Sequence, residues 1–449
     1  MSVFEKQISR IKAKLVLARE ADSEHKTFGA SDHQYILHTP LKPEQVAAFE
    51  LAQEIMLPAC YKAFLTAIGN GGPSYMDSAA GPFYGIYPME ENTDEFIGAP
   101  SDYLQQAVNI YPGMPAAYWE TLKHDLLVDN LADDVYTAAL GRVFAGILPI
   151  GSQGCSYYHG LLLNGPHAGR VVNIDLDLAQ PVFSFADNFL DWYEGWLDEV
   201  ISGDLTADTA PWYGYRRSGS MAVLLEQYQS STDPVFKTEC LNGIVAKAVL
   251  GSVTTGQLEI ALQQADQATH LQWLQILTKF DYNRAKPYLL ASWEEHFQDI
   301  VKFIYWYAKN RCAEWCALVT TQLPMVQDGE TFRFCTYLLT ESQYPFGPLV
   351  APFVNHALAD IRVTALYTLG KLEDKSAYLS AFISGLKDES EDVIRTALQA
   401  LSGVKDPQLL PIYKHLASKP HSADSYILSN LKRRLEEYPL TLQQLQQMP

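Results

Sequence analysis

The chain has 449 residues, of which 48% are hydrophobic, and it carries a formal net charge of −19. This length corresponds to two or three domains with packed cores, which excludes a disordered protein, and no stretch approaches the roughly 18 apolar residues of a membrane span. The N-terminal residues are charged and lack the apolar segment of a signal peptide, so we expect a cytoplasmic protein with no membrane partner.

The first predicted elements form an α+β domain. A helical extension over residues 1–44 precedes this domain, which we place at residues 45–205. Two helices separated at Pro58 come first, and short strands with glycine-rich turns follow. The last helix, "FADNFLDWYEGWLDEVISGDL", has a wide apolar stripe that would pack on one face of an antiparallel or mixed sheet. The stripe consists of Phe189, Trp192, Tyr193, Trp196, Leu197 and Val200.

A glycine-containing stretch within this domain, "LLLNGPHAGRVVNIDLD" at residues 161–177, has two interpretations. A phosphate-binding loop would have to open a helix whose N-terminus faces the anion. The residues after Gly169 instead alternate like a strand and contain several β-branched side chains. The pattern therefore favours a β-hairpin, with the phosphate loop as the alternative.

The six cysteines and the missing motifs bear on catalysis. The cysteines lie among apolar residues, which is typical of reduced core thiols. Cys312, Cys316 and Cys335 leave a metal site as the alternative to a core role. Cys155 and His159 would lie on one strand face about 13 Å apart, too far for a nucleophile and its base. With no catalytic or cofactor motif in the sequence, we expect a protein that is not an enzyme and holds no metal or cofactor.

The second half of the chain is predicted to be all-α. The segments "DIRVTALYTLGKLED" and "EDVIRTALQALSGVKD" align at an offset of 32 residues, and each is followed by a second helix. This recurrence is typical of HEAT-like repeats, which we place at residues 341–440, after a helical region at 206–340 with degenerate units. The alternative is a plain stabilising helical bundle. The aligned residues are Thr364, Ala365, Leu366, Leu369 and Asp374 over Thr396, Ala397, Leu398, Leu401 and Asp406.

Charge is distributed unevenly between the two halves. Residues 1–210 contain 28 acidic and 11 basic residues, a net of −17, whereas the remaining residues contain 24 acidic and 22 basic, a net of −2. Such a field repels nucleic acid and attracts a basic protein. The alternative is that the acidic surface serves solubility alone.

The order of elements in the first half resembles a known family. "LPACYKAFLTAIGNGGPS", "GPFYGIYPM", "GILPIGSQGCSYYHGLLLNGPHAGRVVNIDLD" and "SFADNFLDWYEGWLDE" follow one another as in the SUKH superfamily, the Smi/Knr-type domain. A long insertion at residues 90–143 departs from the family pattern. It leaves undecided whether a partner binds the surface that is usual in the family. The resemblance implies an α+β fold without catalytic residues and, in bacteria, an immunity protein that neutralises a toxin, in many cases a nuclease.

The candidate contact residues are carboxylates near the last elements of this domain. Four of them recur at helical spacing opposite the tryptophans, where like charges repel one another and a basic partner would relieve the repulsion. The alternative is a solvated face that complements the helix dipole. The candidates, all expected to be exposed, are Asp175, Asp177, Asp187, Asp191, Glu194, Asp198 and Glu199.

Together these patterns predict a protein-binding function. The preferred hypothesis is an immunity protein that binds a basic toxin domain of a polymorphic toxin through its acidic surface. The alternative is a scaffold or regulatory adaptor that holds cellular proteins together through the α+β domain and the helical repeats. The sequence leaves open the identity of the partner, the surface that binds it and the oligomeric state.

Overall fold

The computed structural model describes residues 4–96, 100–128, 130–208, 210–419 and 426–447. The chain divides into two compact units: Met1–Leu258 with Ala265–Trp273, and Glu259–Gln264 with Leu274–Pro449. The first contains the sheet and the second is helical, so the predicted fold class is confirmed. Across the described ranges, none of the helices combines the length and the apolar character that a membrane span needs.

The first unit is built on a four-stranded antiparallel sheet in the order β1-β2-β3-β4. The strands are β1 (Ile147–Gly154), β2 (Tyr157–Leu162), β3 (Val171–Asp175) and β4 (Val182–Phe183). Ile147 pairs with Leu162 and Leu161 with Val171, so apolar side chains of neighbouring strands lie side by side. These residues are buried, because both faces of the sheet are covered.

The glycine-containing stretch is a hairpin, as predicted. The Gly169 N–H donates to the Leu162 carbonyl oxygen (2.8 Å), which closes the connection between β2 and β3. Gly165 and Gly169 have φ values of 77° and 91°, a backbone conformation that glycine adopts without steric cost. No helix begins after Gly169 within this part of the described chain, so the phosphate-loop alternative is wrong.

Helices surround the sheet. The apolar stripe predicted on the last helix of the domain, α8, is buried, and Trp192 contacts His159 on β2 with 5.0 Å between ring centroids. Asn188 caps α8 by accepting hydrogen bonds from the N–H groups of Leu190 and Asp191. The helices up to α8 are α1 (Glu5–Ala21), α2 (Ala30–His33), α3 (Pro43–Ala52), α4 (Ala59–Ala67), α5 (Pro100–Tyr103), α6 (Ala116–Leu122), α7 (Asp133–Val143) and α8 (Phe189–Ile201).

The insertion at residues 90–143 contains α5, α6 and α7 and joins the same core. Trp119 on α6 is 1% exposed and donates its indole N–H to the Leu178 carbonyl oxygen (3.1 Å). Phe96 packs edge-to-face against Phe144. The inserted segment is therefore part of the folded unit, although residues 97–99 and 129 lie outside the described ranges.

Further helices continue the first unit and lead into the second. The helices α9 (Met221–Ser230) and α10 (Pro234–Ala246) belong to the first unit, and α11 (Thr255–Gln264) and α12 (Gln267–Phe280) contribute residues to both. The second unit continues with α13 (Tyr282–Ala291), α14 (Phe297–Tyr307), α15 (Cys316–Gln322), α16 (Gly329–Glu341), α17 (Gly347–Val350), α18 (Ala359–Gly370), α19 (Leu379–Leu386), α20 (Glu391–Ala400), α21 (Leu409–Ser418), α22 (Tyr426–Glu436) and α23 (Leu442–Gln447).

The second unit is a stack of helical repeats, in agreement with the predicted repeat. The helices α14, α16, α18, α20 and α22 pack one on the next and begin 30 to 35 residues apart. Hydrogen bonds recur at the same interval, for example from Tyr282 to Glu314 and from Gln275 to Tyr307, each 32 residues apart. The aligned Leu366 and Leu398 are both 0% exposed, because the repeated positions form the core of the stack.

The cysteines differ from the prediction at one position. Five are buried, but Cys155 is exposed in the turn between β1 and β2 and has a φ of 50°. Cys155 is therefore not on the strand that carries His159. Cys316 donates its thiol to the Ser342 hydroxyl (2.9 Å), and burial raises the pKa of Cys312 to about 11. The described residues contain no group of three or more His, Cys, Asp or Glu side chains that could hold a metal ion.

Candidate partner-binding site

The seven predicted carboxylates lie in three different settings. Asp175 and Asp177 lie at the end of β3, where the Ser156 hydroxyl bonds both carboxylates at 3.0 Å. Four lie on α8 or just before it: Asp187, Asp191, Glu194 and Asp198. Glu199 lies on the buried side of α8. The structure therefore does not bring the seven together into one surface.

The acidic strip on α8 is covered by α1. Arg10 donates two hydrogen bonds to the Glu194 carboxylate, from Nε (2.8 Å) and Nη2 (3.0 Å). The Lys14 ammonium group donates to Glu194 (2.9 Å) and to Asp198 (2.7 Å). Gln7 donates to Asp191 (2.7 Å). Basic and polar side chains of α1 thus relieve the repulsion that we assigned to a partner, and the expected exposure of Glu194 is wrong because Glu194 is 8% exposed.

The ion pairs of Glu194 keep its carboxylate charged. Burial alone would raise the pKa of Glu194, but the hydrogen bonds from Arg10 and Lys14 outweigh burial and lower it to about 2. A carboxylate held by a bidentate guanidinium and an ammonium group stays charged and paired at neutral pH. Glu194 is therefore removed from the candidate contact residues.

Glu199 is also buried, at 7% exposure, so its expected exposure is wrong as well. The Lys247 ammonium group bonds Glu199 (2.8 Å) and Asp204 (3.1 Å), and Asp204 also accepts the Ala248 N–H (2.8 Å). Burial raises the pKa of Glu199, which the neighbouring Lys247 charge opposes. This ionic cluster fixes the segment after α10 to the end of α8 and is unavailable to a partner.

A different surface has the composition of a protein-binding site. Six aromatic side chains form two groups of ring contacts, and the buried Phe83 ring joins the two groups by contacting Phe28 and Trp212. Three are about half exposed: Phe28 at 54%, Tyr75 at 56% and Trp212 at 55%. We call this surface the aromatic face; its members are Phe28, Tyr75, Tyr84, Tyr157, Trp212 and Tyr215.

A segment that runs along β1 positions one side of the aromatic face. The Tyr84 N–H donates to the Ser152 carbonyl oxygen (3.3 Å), and the Tyr87 N–H donates to that of Ile150 (2.9 Å). Phe83 has a φ of 55°, which is strained for a non-glycine residue. Gly85 has a φ of 102°, and a Cβ there would collide with the Ala79 carbonyl oxygen, so the turn requires glycine.

Four of the thirteen non-glycine residues with positive φ in the described part of the chain lie around this face. Met76, Asp77, Phe83 and Cys155 all have φ values between 50° and 55°. Residues held in the left-handed region cost of order 1 to 3 kcal/mol each and cluster at functional sites. The surrounding packing thus presents Tyr75, Tyr84 and the β1–β2 turn in one defined arrangement.

A buried polar network supports the other side of the aromatic face. The Tyr215 hydroxyl donates to the Gln153 side chain (2.9 Å), which in turn donates to Asn173 (2.9 Å). Asn173 donates to the Gly214 carbonyl oxygen (3.2 Å) and contacts His159 Nδ1 (3.0 Å). These bonds attach the loop that carries Trp212 to β1, β2 and β3, so Trp212 is held although its side chain is exposed.

His159 is neutral within this network. Burial lowers the pKa of His159 to about 3, since the ring is fully enclosed. With Asn173 Oδ1 beside it, Nδ1 carries the ring proton, which is an assignment from the hydrogen-bond pattern. His159 therefore acts within this network as a buried, neutral hydrogen-bonding group that positions the site.

Two small depressions flank the aromatic rings. One, of about 260 Å³, lies between Phe28 and Trp212, and the other, of about 220 Å³, lies between Tyr75 and Cys155. Both are smaller than typical small-molecule pockets of roughly 300 to 1,000 Å³. Their size suits single side chains of a protein partner. In the second, burial and the neighbouring Glu95 carboxylate raise the pKa of Tyr158 to about 12.

Two of the predicted carboxylates adjoin this face. Tyr157 of the aromatic face pairs with Asp175 across β2 and β3, and Ser156 holds Asp175 and Asp177 beside it. Asp175 and Asp177 are therefore the predicted residues that lie next to a candidate protein-binding surface. Sequence reasoning missed the aromatic members, because they come from separate segments of the chain.

An antiparallel four-stranded meander that packs against α8, with half-exposed aromatic rings nearby, defines an α+β domain. Residues 40–195 match the model of the SMI1 / KNR4 family (SUKH-1), which covers about a third of the chain. This segment is therefore similar to a SUKH-1 domain, and the family resemblance seen in the sequence is confirmed. No curated protein matches the chain.

Proposed function

We propose that this protein is an immunity protein that binds a basic toxin domain through the aromatic face and neutralises it without a catalytic step. The observation that carries the proposal is the set of half-exposed rings of Phe28, Tyr75 and Trp212 on one fixed surface. Exposed clusters of this kind on a folded domain mark protein-protein interaction sites.

The composition of the aromatic face supports a protein as its ligand. Tyrosine and tryptophan are enriched at interface hot spots, where they fill pockets on the partner at low entropic cost. Tyrosine hydroxyls at the edge, such as those of Tyr75 and Tyr84, can hydrogen-bond a partner while the rings remain in contact. Depressions on both sides of the rings would receive side chains in return.

Charge supports a basic partner. The first 210 residues have a net charge of −17, and Asp175 and Asp177 lie next to Tyr157 on the rim of the face. A negative surface accelerates encounter with a positive protein and disfavours acidic competitors. A nuclease toxin has to be basic to hold its substrate, so masking by an acidic domain would block the site that binds nucleic acid.

The test is a pull-down from the native cell with the full chain as bait, followed by identification of the retained proteins. We expect the wild-type chain to retain a basic toxin domain. Trp212→Ala should lower the affinity for this domain at least about tenfold, so that the domain is no longer retained. Trp306→Ala is the matched control, because Trp306 is 49% exposed but belongs to the second unit. Expression of the toxin domain with the wild-type chain should restore growth, and with Trp212→Ala it should not.

A second candidate function is an adaptor that joins cellular proteins, and the repeated helices of the second unit favour it. Stacked repeats bind proteins along one face, and this stack exposes Trp306, Tyr367 and Tyr426. Under this alternative the same pull-down would return cellular proteins that are lost in Trp306→Ala and retained in Trp212→Ala. The two variants therefore separate the two functions.

A further inference from the structure

A cleft of about 870 Å³ lies in the first unit and does not include the aromatic face. Its walls are the segment Tyr111–Met114, the strand β4 with the residues after it, and the beginning of α10. Asp187, one of the predicted contact residues, is on its rim. The proposed function makes no use of this cleft.

The edge of the sheet opens into the cleft. β4 pairs only with β3 in the described sheet, with Phe183 opposite Val172, and the Ser184 N–H donates to the Val171 carbonyl oxygen (3.0 Å). Neighbouring residues of an antiparallel strand direct their backbone groups to opposite sides. The N–H and C=O of Phe183 therefore point away from β3, towards the cleft, and no described residue bonds them.

The walls of the cleft combine apolar and polar side chains. Val182 of β4 and Val235 of α10 are exposed apolar side chains of its lining. The Arg217 guanidinium stacks on Phe236, 4.2 Å from the ring centroid, and Glu239 holds it in an ion pair (2.6 Å). Such a wall can receive the apolar side chains of a bound segment without rearranging.

Charge at the rim favours a cationic group. Asp187 and Asp233 are exposed, and within the described ranges neither makes an ion pair. Arg217 is paired with Glu239, whereas Arg170 donates to the Ser184 carbonyl oxygen (2.8 Å) and keeps its positive charge. Three acidic against two basic side chains leave the lining with a net charge of −1. A lysine or arginine of the occupant would therefore find two carboxylates beside the open strand edge.

We infer that this cleft binds an extended peptide segment, which adds to the sheet as a strand beside β4 and places a lysine or arginine next to Asp187 and Asp233. Exposed strand edges bind peptides in this way, with main-chain hydrogen bonds for affinity and alternate side chains for specificity. The site is separate from the aromatic face, and the inference does not depend on the proposed function.

The first experiment measures the binding of labelled eight-residue peptides to the full chain by fluorescence anisotropy. The probes alternate valine with lysine or valine with glutamate, so that they differ only in charge. We expect the valine-lysine peptide to bind at least about tenfold more tightly than the valine-glutamate peptide. No detectable binding of the valine-lysine peptide, or equal binding of both, would overturn the inference.

The second experiment tests strand addition itself by N-methylation of the valine-lysine peptide. Methyl groups on one set of alternate amides should abolish binding, because those N–H groups face β4, while methyl groups on the other set should leave it unchanged. Equal sensitivity of both sets would contradict strand addition, since a ligand held by its side chains alone has no such alternation.

Variants of the chain locate the site. Asp187→Asn and Asp233→Asn should each weaken the binding of the valine-lysine peptide about threefold or more. Asparagine at position 233 preserves the capping of α10. Phe183→Pro should abolish binding, because it removes the outward N–H while an edge strand tolerates proline. Asp134→Asn, at an exposed position of α7 outside the cleft, is the control and should have no effect.

Discussion

His159 illustrates how one residue connects the site to the stability of the fold. Burial lowers its pKa from the ordinary value of 6.5 to about 3, so the folded chain binds this proton later than the unfolded chain as the pH falls. The unfolded state therefore gains stability relative to the folded state between about pH 6.5 and pH 3. At about 1.4 kcal/mol per pKa unit, the shift corresponds to a cost of about 5 kcal/mol below the acid end of this window.

We predict that His159→Gln makes the thermal transition less sensitive to acid. The wild-type melting temperature should fall between pH 7 and pH 4, and the fall should be smaller by several degrees in the variant, because glutamine does not titrate. Calorimetry at both pH values measures the difference. The carboxylates titrate in both proteins, so an equal fall in the two would show that His159 is not the source.

The carboxylates show which part of the site the sequence could reveal. Helical spacing correctly places Asp191, Glu194 and Asp198 on one face of α8, because that depends on local geometry. It cannot show what covers the face. Gln7, Arg10 and Lys14 have the same spacing of three and four residues and meet their partners 184 residues away. That match is visible in the sequence but has meaning only once α1 is known to lie along α8.

At the scale of elements, glycine in the repeats marks where helices approach closely. A Cβ at Gly370 would lie 2.6 Å from the Ala400 Cβ and 2.8 Å from its Cα, at the contact between α18 and α20. The backbone atom cannot move without shifting a helix. By contrast, the nearest atom to a Cβ at Gly256 in α11 is the Thr254 hydroxyl oxygen at 3.9 Å.

We predict opposite effects of alanine at these two glycines. Gly370→Ala should destabilise the repeats by about 1 to 3 kcal/mol, because the clash exceeds the gain in helix propensity. Gly256→Ala should stabilise the chain by up to about 1 kcal/mol, since only propensity changes. Denaturant unfolding followed by circular dichroism measures both. A stabilised Gly370→Ala would mean that the helices separate at little cost.

The hairpin, the buried stripe of α8 and the 32-residue repeat were predictable because each is a pattern within a single segment. The aromatic face was not, since its rings come from segments around Phe28, Tyr75, Tyr157 and Trp212. None of these segments is unusual by itself. Their common surface arises from tertiary pairing, such as that of Tyr84 with β1.

For the molecule as a whole, the charge difference between the two halves predicts how binding responds to salt. If a basic partner binds the acidic first half, raising NaCl from 50 to 500 mM should lower its affinity more than about tenfold, because the attraction is screened. The double variant Asp175→Asn/Asp177→Asn should bind the partner more weakly, and its affinity should depend less on salt. The control double variant Asp133→Asn/Asp134→Asn should show smaller changes in both the affinity and its salt dependence. The measurement is the affinity at a series of NaCl concentrations. An affinity that does not change with salt would contradict electrostatic attraction.

The contacts of α8 reach beyond the region that matches the family. Trp196 stacks on Tyr35 and meets the edge of His33, both of which precede residue 40. Beyond residue 195, Tyr213 donates its hydroxyl to the Trp192 carbonyl oxygen, and Lys247 pairs with Glu199. A fragment cut at the limits of the family match would leave tryptophan rings and ionic groups without their cover. The unit of homology in this protein is thus smaller than the unit of folding, and any fragment prepared for biochemical work has to follow the latter.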